Sequence, residues 1–326
     1  MEDLPSMTVS QRDQFLVLND VFRIYSDFDA SDIATQIFTV EIQRDKQLDY
    51  LMNGLRHLGP SFSSLDANRP WICYWILHSI ALLGESVDDE LENNTIDFLG
   101  RCQGSDGGYG GGPGQSLLVR VHDMGEMDVR ACYLAISIAS ILNILDDELT
   151  QGLGDYILSC QTYEGGIGGE PGSEAHAGNT YCGLATMALI TEVDRLNLDS
   201  LMNWIVHQQG VERGFQGRTN KLVDGCYTFW QAAPCVLLQR LYSAHDLVPE
   251  GGFRDKPGRP RDFYHTCYCL SGLSVAQHAW SKDKDTPPLN SDILGSYANH
   301  LEQVHLLHNV VMDRYNKAIE FFHRAV

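Results

Sequence analysis

The sequence is poor in positive charge. Its 23 lysines and arginines stand against 43 aspartates and glutamates, which gives a net charge of −20. Phosphate backbones and anionic bilayers are bound by clustered Lys and Arg, so this balance argues against a nucleic-acid-binding or membrane-surface protein. There is no long uninterrupted apolar run, and the opening MEDLPSMTVSQRDQF is polar. We therefore expect a cytoplasmic protein with no nucleic-acid partner and no membrane insertion.

Paired cysteines, strand patterns and linkers are also scarce. The nine cysteines form no CxxC pair, and without a secretory signal they fit a reducing compartment. Most of them are expected to be small buried residues. Because no Pro/Ser-rich stretch or long charge run divides the chain, we expect residues 1–326 to form a single domain.

Glycine, in contrast, is abundant and recurs in turns. Gln103 precedes SDGGYGGGPG, Gln161 precedes TYEGGIGGEPG, and Gln209 precedes GVERGFQGR, with a further glycine-rich stretch at 249–259. The three glutamines are 58 and 48 residues apart. A period near fifty residues, with two helical patterns in each unit, predicts stacked or ringed helix pairs.

The helical patterns between these turns are of two kinds. Residues 74–83, 131–145, 181–190 and 267–280 are apolar around most of the helix circumference, which is typical of helices inside a layered structure. Residues 89–103 have a polar face and suit an outer layer. The prediction is an all-α ring of inner and outer helices.

A carboxylate, a thiol and an imidazole form the first candidate site. Asp224 and Cys226 lie in KLVDGCYTFWQ, and His265 lies in RDFYHTCYCL. Three protein ligands of these types can hold zinc and leave a fourth position open for substrate. Spacing alone does not separate this reading from a buried cysteine and a core histidine.

A basic pair forms the second candidate site. Arg218 and Lys221 immediately precede Asp224, and His176 and Tyr227 are further polar candidates. In so acidic a chain, a basic pair beside a metal turn suits an anionic ligand such as a diphosphate. An ordinary surface pair is the alternative.

Aromatic spacing and two aspartates complete the candidates. Three pairs share a helix face by their spacing: Trp71 with Trp75, Cys226 with Trp230, and Arg130 with Tyr133. In a ring of helices the core is the lumen wall, so aromatic residues there could bind a long apolar chain or simply pack. Asp255 and Asp262 could hold Mg²⁺ near a diphosphate, although aspartate is also common in turns.

Six segments, in this order, resemble the β subunits of protein prenyltransferases: RPWICYWILH, CQGSDGGYGGGPGQ, MGEMDVRACY, CQTYEGGIGGEPGSEAHAGNTYCG, GFQGRTNKLVDGCYTFWQ and DKPGRPRDFYHTCYCLSGLSVAQH. They cover most of residues 69–280. The resemblance implies an α–α toroid that pairs with a helical-repeat α subunit. It also implies zinc-assisted prenylation of the cysteine of C-terminal Cys-a-a-X proteins. NKLVDGCYTFWQ and DKPG are more similar to the farnesyl branch, which implies farnesyl diphosphate as the lipid donor.

The resemblance also implies a role for each matching residue. Zinc would be bound by Asp224, Cys226 and His265, and Asp255 would hold the Mg²⁺ that assists departure of the diphosphate. The diphosphate would be held by His176, Arg218, Lys221 and Tyr227, of which Lys221 and Tyr227 would act in catalysis with the zinc ligands. The isoprenoid pocket would be lined by Arg130, Tyr133, Cys182 and Trp230. The a-a-X residues would meet Trp71, Trp75 and Tyr264.

The chain departs from the family pattern at two places. Near 115–125 only SLLVRVHDM separates Gln115 from Gly125, and near 231–251 one helix and a short link replace a longer connection. A ring closes with a fixed number of hairpins, so these gaps predict a strained or incomplete toroid. Arg213 also stands where the family carries glycine.

Three alternatives remain beside a catalytic prenyltransferase subunit. A shortened, non-catalytic or misfolded form would at most bind the α subunit. A terpene cyclase would need a DxDD or DDxxD motif, which the acidic pairs at 88–89 and 146–147 do not match. A plain helical-repeat scaffold would leave the DGC and YH motifs unexplained.

Overall fold

The computed structural model describes residues 7–104, 109–113, 128–242, 261–279, 288 and 293–324. Short 3₁₀ helices lie at Pro60–Asn68, Val193–Arg195 and Tyr297–Asn299. The α-helices of these residues are α1 (Val9–Asp29), α2 (Ile33–Val40), α3 (Arg44–Arg56), α4 (Arg69–Leu82), α5 (Asp89–Cys102), α6 (Val129–Ile141), α7 (Asp147–Thr150), α8 (Leu153–Cys160), α9 (Ala177–Leu189), α10 (Leu198–Val206), α11 (Tyr227–Tyr242), α12 (Phe263–His278) and α13 (Met312–His323).

Five helices form the inner layer. They pack side by side in the order α4, α12, α11, α9 and α6, while α3 and α5 cover α4, α8 covers α6 and α9, and α10 covers α11. Ten of the thirteen residues of α9 and twelve of the sixteen of α12 are buried, against three of fourteen in α5. The predicted division into apolar inner helices and amphipathic outer helices is therefore confirmed within the described residues.

The glycine turns repeat in structure as well as in sequence. Each begins with an isolated bridge between a glutamine and the residue six positions later: Gln103 with Tyr109, Gln161 with Ile167 and Gln209 with Phe215. Gly165 takes a φ of 105°, and a Cβ there would lie 2.0 Å from the carbonyl oxygen of Ser200. Glycine is thus required by both conformation and space in the second turn. The fourth glycine-rich stretch lies outside the described residues.

The first turns of the inner helices gather at one rim of the ring. Side chains of Asp128, His176 and Asp262 cap the N-termini of α6, α9 and α12. Helix N-termini carry partial positive charge, so a rim built from them favours an anion.

The C-terminal stretch from His300 onward is helical only in its second half. Only Met312–His323 is helical, whereas residues 304–311 form a largely buried loop closed by a bridge between Val304 and Val311. We call residues 304–311 the C-terminal loop. Its backbone carbonyls accept hydrogen bonds from tyrosines of α4, α6 and α9, at distances of 2.8–2.9 Å. These tertiary partners outweigh the local helical pattern.

No helix of the described residues combines the length and the apolar character that a bilayer crossing requires.

Candidate metal centre

Asp224, Cys226 and His265 converge. The ligand atoms that they offer all lie within 4.8 Å of one another, and Nε2 of His265 lies 3.2 Å from Oδ1 of Asp224. Cys226 is buried, and the other two side chains are about one-fifth exposed. This is the only such cluster found in the described part of the chain.

Local structure explains the convergence. The backbone of Asp224 bonds to Phe215 across the third glycine turn, and Oδ1 of Asp224 accepts from the amide of Cys226 at 2.8 Å. These bonds present both side chains just before α11. On α12, Asp262 accepts from the His265 amide at 2.8 Å, and its other oxygen lies 2.6 Å from Nδ1 of His265. Asp262 therefore turns Nε2 of His265 toward Asp224.

The electrostatics of the cluster suit a cation. Burial alone would raise the pKa of Asp224, but hydrogen bonds from His265 and Cys226 hold it below its usual value. Burial alone would lower the pKa of His265, but Asp224 and Asp262 raise it instead. Burial and then the charge of Asp224 raise the pKa of the Cys226 thiol well above its usual range. Without a metal, the cluster therefore holds protons that a divalent cation would displace.

The donor set fits zinc. Zinc prefers Cys sulfur, His nitrogen and a carboxylate oxygen in a tetrahedron, whose ligand atoms are separated by about 3.4 Å. The distance of 3.2 Å between His265 and Asp224 is close to this value. The carboxylate of Asp262 on the other ring nitrogen is the outer partner that metal-bound histidines usually have.

His176 and Tyr227 form a polar pair at the predicted diphosphate site. Nδ1 of His176 accepts from the amide of Gly178 at 3.1 Å, and Nε2 lies 3.2 Å from the Tyr227 hydroxyl. Burial, and after it the charges of Arg218 and Arg130, lower the pKa of His176. A neutral ring that accepts at Nδ1 carries its proton on Nε2, so His176 donates to Tyr227. The hydroxyl of Tyr227 can then donate its own proton to an anion.

Of the predicted cations, Arg218 and Arg130 lie near enough to His176 to lower its pKa. Arg218 bonds to Glu174 at 3.0 Å, and Arg130 bonds to both oxygens of Asp128 at 2.9 Å. Lys221 is exposed, and its backbone amide bonds to Gln216. The side chain of Arg130 turns back from the first turn of α6 to Asp128, and its predicted place in the isoprenoid pocket stays a prediction.

The predicted aromatic residues form a continuous wall. Indole Nε1 of Trp230 donates to the hydroxyl of Tyr264 at 3.2 Å, and the ring centroids of Tyr264 and Trp75 are 5.4 Å apart. The Trp71 ring stacks beside Trp75 at 6.4 Å. Tyr133 belongs to the same core, and Cys182 is buried with it.

Sequence reasoning missed several members of the site. Tyr181 and Tyr268 both contact the ring of Trp230, with centroids 5.3 and 4.5 Å away. The four-residue spacing of Tyr264 and Tyr268 was a signal for the second. Asp262, predicted as a possible Mg²⁺ ligand, instead bonds to His265, and its position three residues earlier was the clue. Asp255 lies outside the described residues.

Comparisons with known proteins agree with this geometry. The family model described as "Prenyltransferase alpha-alpha toroid domain" matches residues 42–120 and 115–310. The chain is 61% identical to the protein farnesyltransferase subunit beta of Arabidopsis thaliana, over 100% of this chain and 92% of that protein. It is 43% identical to the subunit of the same name from Pisum sativum, over 98% of each.

The chain belongs to the protein farnesyltransferase β-subunit family. A solved structure of Candida albicans protein geranylgeranyltransferase-I complexed with GGPP matches with a TM-score of 0.60 at 18% identity, over 86% of this chain and 99% of that one. At that identity the match supports the fold alone. Together with the family model, it confirms the predicted α–α toroid.

The comparison also confirms that the chain is a shortened member of this family. The alignment with the Arabidopsis protein spans 442 positions, whereas this chain has 326 residues, so at least 116 positions have no counterpart here. That the missing residues fall near 115–125 and 231–251 stays a prediction.

Proposed function

We propose that this chain is the catalytic β subunit of a zinc-dependent protein farnesyltransferase that works as a heterodimer with an α subunit. It would transfer farnesyl from farnesyl diphosphate to the cysteine of C-terminal Cys-a-a-X proteins. The convergence of Asp224, Cys226 and His265 beside an aromatic wall carries the proposal. The names of the relatives support the choice of lipid.

Asp224, Cys226 and His265 would hold the zinc ion and leave one position for the substrate. The chemistry that zinc supplies when bound is a lowered pKa of the substrate thiol, which then reacts as a thiolate near neutral pH. Asp262 would keep His265 in the orientation that binding needs.

Transfer forms a bond between the substrate sulfur and C1 of farnesyl diphosphate. The C1–O bond breaks, its electron pair leaves with the diphosphate, and the thiol proton passes to solvent. Tyr227, oriented by His176, would donate a hydrogen bond to the departing oxygen. Arg218 and Lys221 would add positive charge at the rim. Assistance by Mg²⁺ at Asp255 remains a prediction from the sequence.

The aromatic wall would bind the apolar parts of both substrates. Trp230, Tyr133 and Cys182 would contact the isoprenoid, and Trp71, Trp75 and Tyr264 would contact the a-a-X residues. Arg130, held by Asp128 at the first turn of α6, would also line the isoprenoid pocket. A cytoplasmic location is part of the proposal.

Farnesyl transfer to a Cys-a-a-X peptide by the co-expressed heterodimer tests the proposal. We expect turnover by the wild type, and we expect Tyr227→Phe to lower kcat by about 10- to 100-fold with little change in the KM for the peptide. Tyr163→Phe is the matched control, because Tyr163 is almost fully exposed. A zinc-loaded heterodimer without any transfer would favour the non-catalytic alternative.

A further inference from the structure

The first turn of α12 is held by three stacked aromatic rings. Phe263, the first residue of α12, lies two positions before His265 and is 2% exposed. Its ring stacks with Tyr50 of α3 at a centroid distance of 4.6 Å, and with Phe62 of the 3₁₀ helix Pro60–Asn68 at 5.0 Å. We call Tyr50, Phe62 and Phe263 the aromatic stack. It joins the start of α12 to α3 and to this 3₁₀ helix.

A glycine of α3 makes room for the aromatic stack. Gly54 lies within α3, where a glycine costs about 1 kcal/mol relative to alanine. A Cβ at Gly54 would lie 2.7 Å from Cε1 of Phe263 and closer still to Cζ. The φ of Gly54 is not in the left-handed region, so the ring of Phe263, and not the backbone conformation, requires a glycine here.

Two contacts extend the aromatic stack to the residues just before Phe263. The guanidinium carbon of Arg261 lies 4.4 Å from the centroid of the Tyr50 ring, and the Tyr50 hydroxyl lies 3.5 Å from the backbone oxygen of Arg261. Burial, and after it the charge of Asp262, raises the pKa of Tyr50 to about 12, so this phenol also lies near the carboxylate. Helix α3 therefore meets residues 261, 262 and 263 in succession.

The residues on either side of Phe263 belong to the metal cluster and the aromatic wall. Asp262 lies 2.6 Å from Nδ1 of His265 through one carboxylate oxygen. The hydroxyl of Tyr264 accepts a hydrogen bond from the indole of Trp230. Because these residues share one helical turn with Phe263, a shift of its backbone would move them together.

Metal binding is sensitive to such a shift. Asp224 and Cys226 are held by bonds within their own loop, so His265 is the ligand that a second element must bring to them. Ligand distances in a metal site must be met to within about 0.2 Å. Helix α12 also packs on α11, where Gly272 lies against the backbone of Thr228. That contact lies further along α12 and holds the body of the helix, whereas the aromatic stack holds its first turn.

We propose that the aromatic stack, with Gly54 beside it, positions His265 for metal binding and Tyr264 for the peptide. The inference rests on the proposed function. Phe263 supplies no ligand atom to the cluster and acts through its neighbours in the chain, so it is a positioning residue. Displacing its ring changes the zinc affinity and the KM for the peptide while every ligand stays in place.

Two alanine substitutions in helices test the inference. Gly54→Ala displaces the ring, whereas Gly100→Ala on α5 adds a Cβ that meets no heavy atom of the described residues within 4 Å. Both variants gain the same intrinsic helix preference. In the heterodimer, competition with a chelator should show Gly54→Ala lowering the zinc affinity by about 10-fold, as loss of a histidine's outer partner does. Gly100→Ala should change the affinity by less than about twofold.

A second background shows whether the effect passes through the ring. Phe263→Leu removes the ring atoms that a Cβ at Gly54 would meet. Gly54→Ala should therefore weaken zinc binding when it is made alone, and should change it by less than about twofold when it is added to Phe263→Leu. Equal losses in the two backgrounds would overturn the inference.

A purely structural role predicts a different result. Gly54→Ala would then have a lower unfolding midpoint, with wild-type zinc affinity and peptide KM in the folded protein, and this would overturn the inference. If Gly54→Ala does not fold, Tyr50→Leu removes one stacked ring without adding a clash. It should weaken zinc binding by at least about threefold, and wild-type affinity in this variant would equally overturn the inference.

Failure of the inference and failure of the proposed function are distinguishable. Wild-type zinc affinity in Gly54→Ala, with farnesyl transfer intact, would overturn the inference and leave the proposed function standing. A wild-type heterodimer that binds zinc, is weakened by Gly54→Ala and transfers no farnesyl would support the positioning of His265 and overturn the proposed function. A wild-type heterodimer that binds no zinc would overturn both.

Discussion

The two sides of the inner ring are built differently. On one side α9 and α12 both pack against α11, and the metal cluster lies at the starts of α11 and α12. On the other side α4 and α6, at the two ends of the packing order, are both hydrogen bonded to the C-terminal loop, through Tyr74 and Tyr133. We call α9, α11 and α12 the metal side, and α4, α6 and the C-terminal loop the loop side. A shortened chain can thus keep its metal side complete while a buried loop joins α4 to α6.

The largest effect on the metal side is expected from loss of the Cys226 thiol. Cys226→Ala removes the sulfur ligand, so we expect loss of bound zinc and a fall in farnesyl transfer of more than about a hundredfold. Cys73→Ala is the control, since Cys73 is half-buried on α4, away from the cluster. Metal analysis and transfer assays on both variants make the comparison. Equal zinc content in the two would contradict the assigned ligand set.

On the loop side, substitution of Asn309 should lower the free energy of unfolding. Its side chain bonds to His78 at 3.2 Å and to the Tyr74 hydroxyl at 3.1 Å, and it is buried. Asn309→Ala removes both of these buried hydrogen bonds, so we expect a loss of about 1–3 kcal/mol in the free energy of unfolding. Urea denaturation of the heterodimer measures the change. A loss below about 0.5 kcal/mol would show that the loop does not hold α4 in place.

Asp262 should affect the zinc affinity of the metal side through its bond to His265. Asp262→Asn keeps a capping side chain but weakens the hold on Nδ1 of His265, so zinc affinity should fall by about 10- to 100-fold. Asp146→Asn is a matched control, since Asp146 caps α7 in the same way at an exposed position. Competition with a chelator measures both variants. Unchanged affinity in Asp262→Asn would limit Asp262 to capping α12.

Acid should affect the loop side through its buried histidines. Burial lowers the pKa of His78 and of His308 to about 4, below the value of about 6.5 expected when unfolded. The unfolded chain therefore takes up protons first, and stability is lost as the pH falls from about 6.5 to about 4. The loss is on the order of 3 kcal/mol for each histidine. His308→Gln should reduce the slope of stability against pH, whereas His207→Gln, at an exposed site, should not.

The smallest effect is expected at Arg213. It adopts a φ of 67° in the third glycine turn, a conformation that costs residues other than glycine about 1 kcal/mol. Arg213→Gly should therefore raise the free energy of unfolding by up to about this amount, without changing zinc content. Thermal unfolding compares it with Arg12→Gly on exposed α1, which should not stabilise the protein.

The metal side was predictable from the sequence because its information is local. Asp224 and Cys226 are two residues apart in one loop. The inner helices are apolar around most of their circumference, and this pattern predicts their buried position. The C-terminal loop was not predictable, because its VHLLHNVV stretch has helical spacing and its real partners are tyrosines 125–235 residues away. The bond between Arg130 and Asp128 was not predicted either, because the helical spacing pointed to Tyr133 as the neighbour of Arg130.

The central claim is that this shortened chain still builds a complete metal site. X-ray absorption at the zinc edge, with zinc quantification on the purified heterodimer, tests it most directly. The account predicts about one zinc per chain with one sulfur ligand and the rest nitrogen or oxygen, and no specific zinc in Cys226→Ala. A folded heterodimer without zinc, or a sulfur ligand that persists in Cys226→Ala, would contradict it.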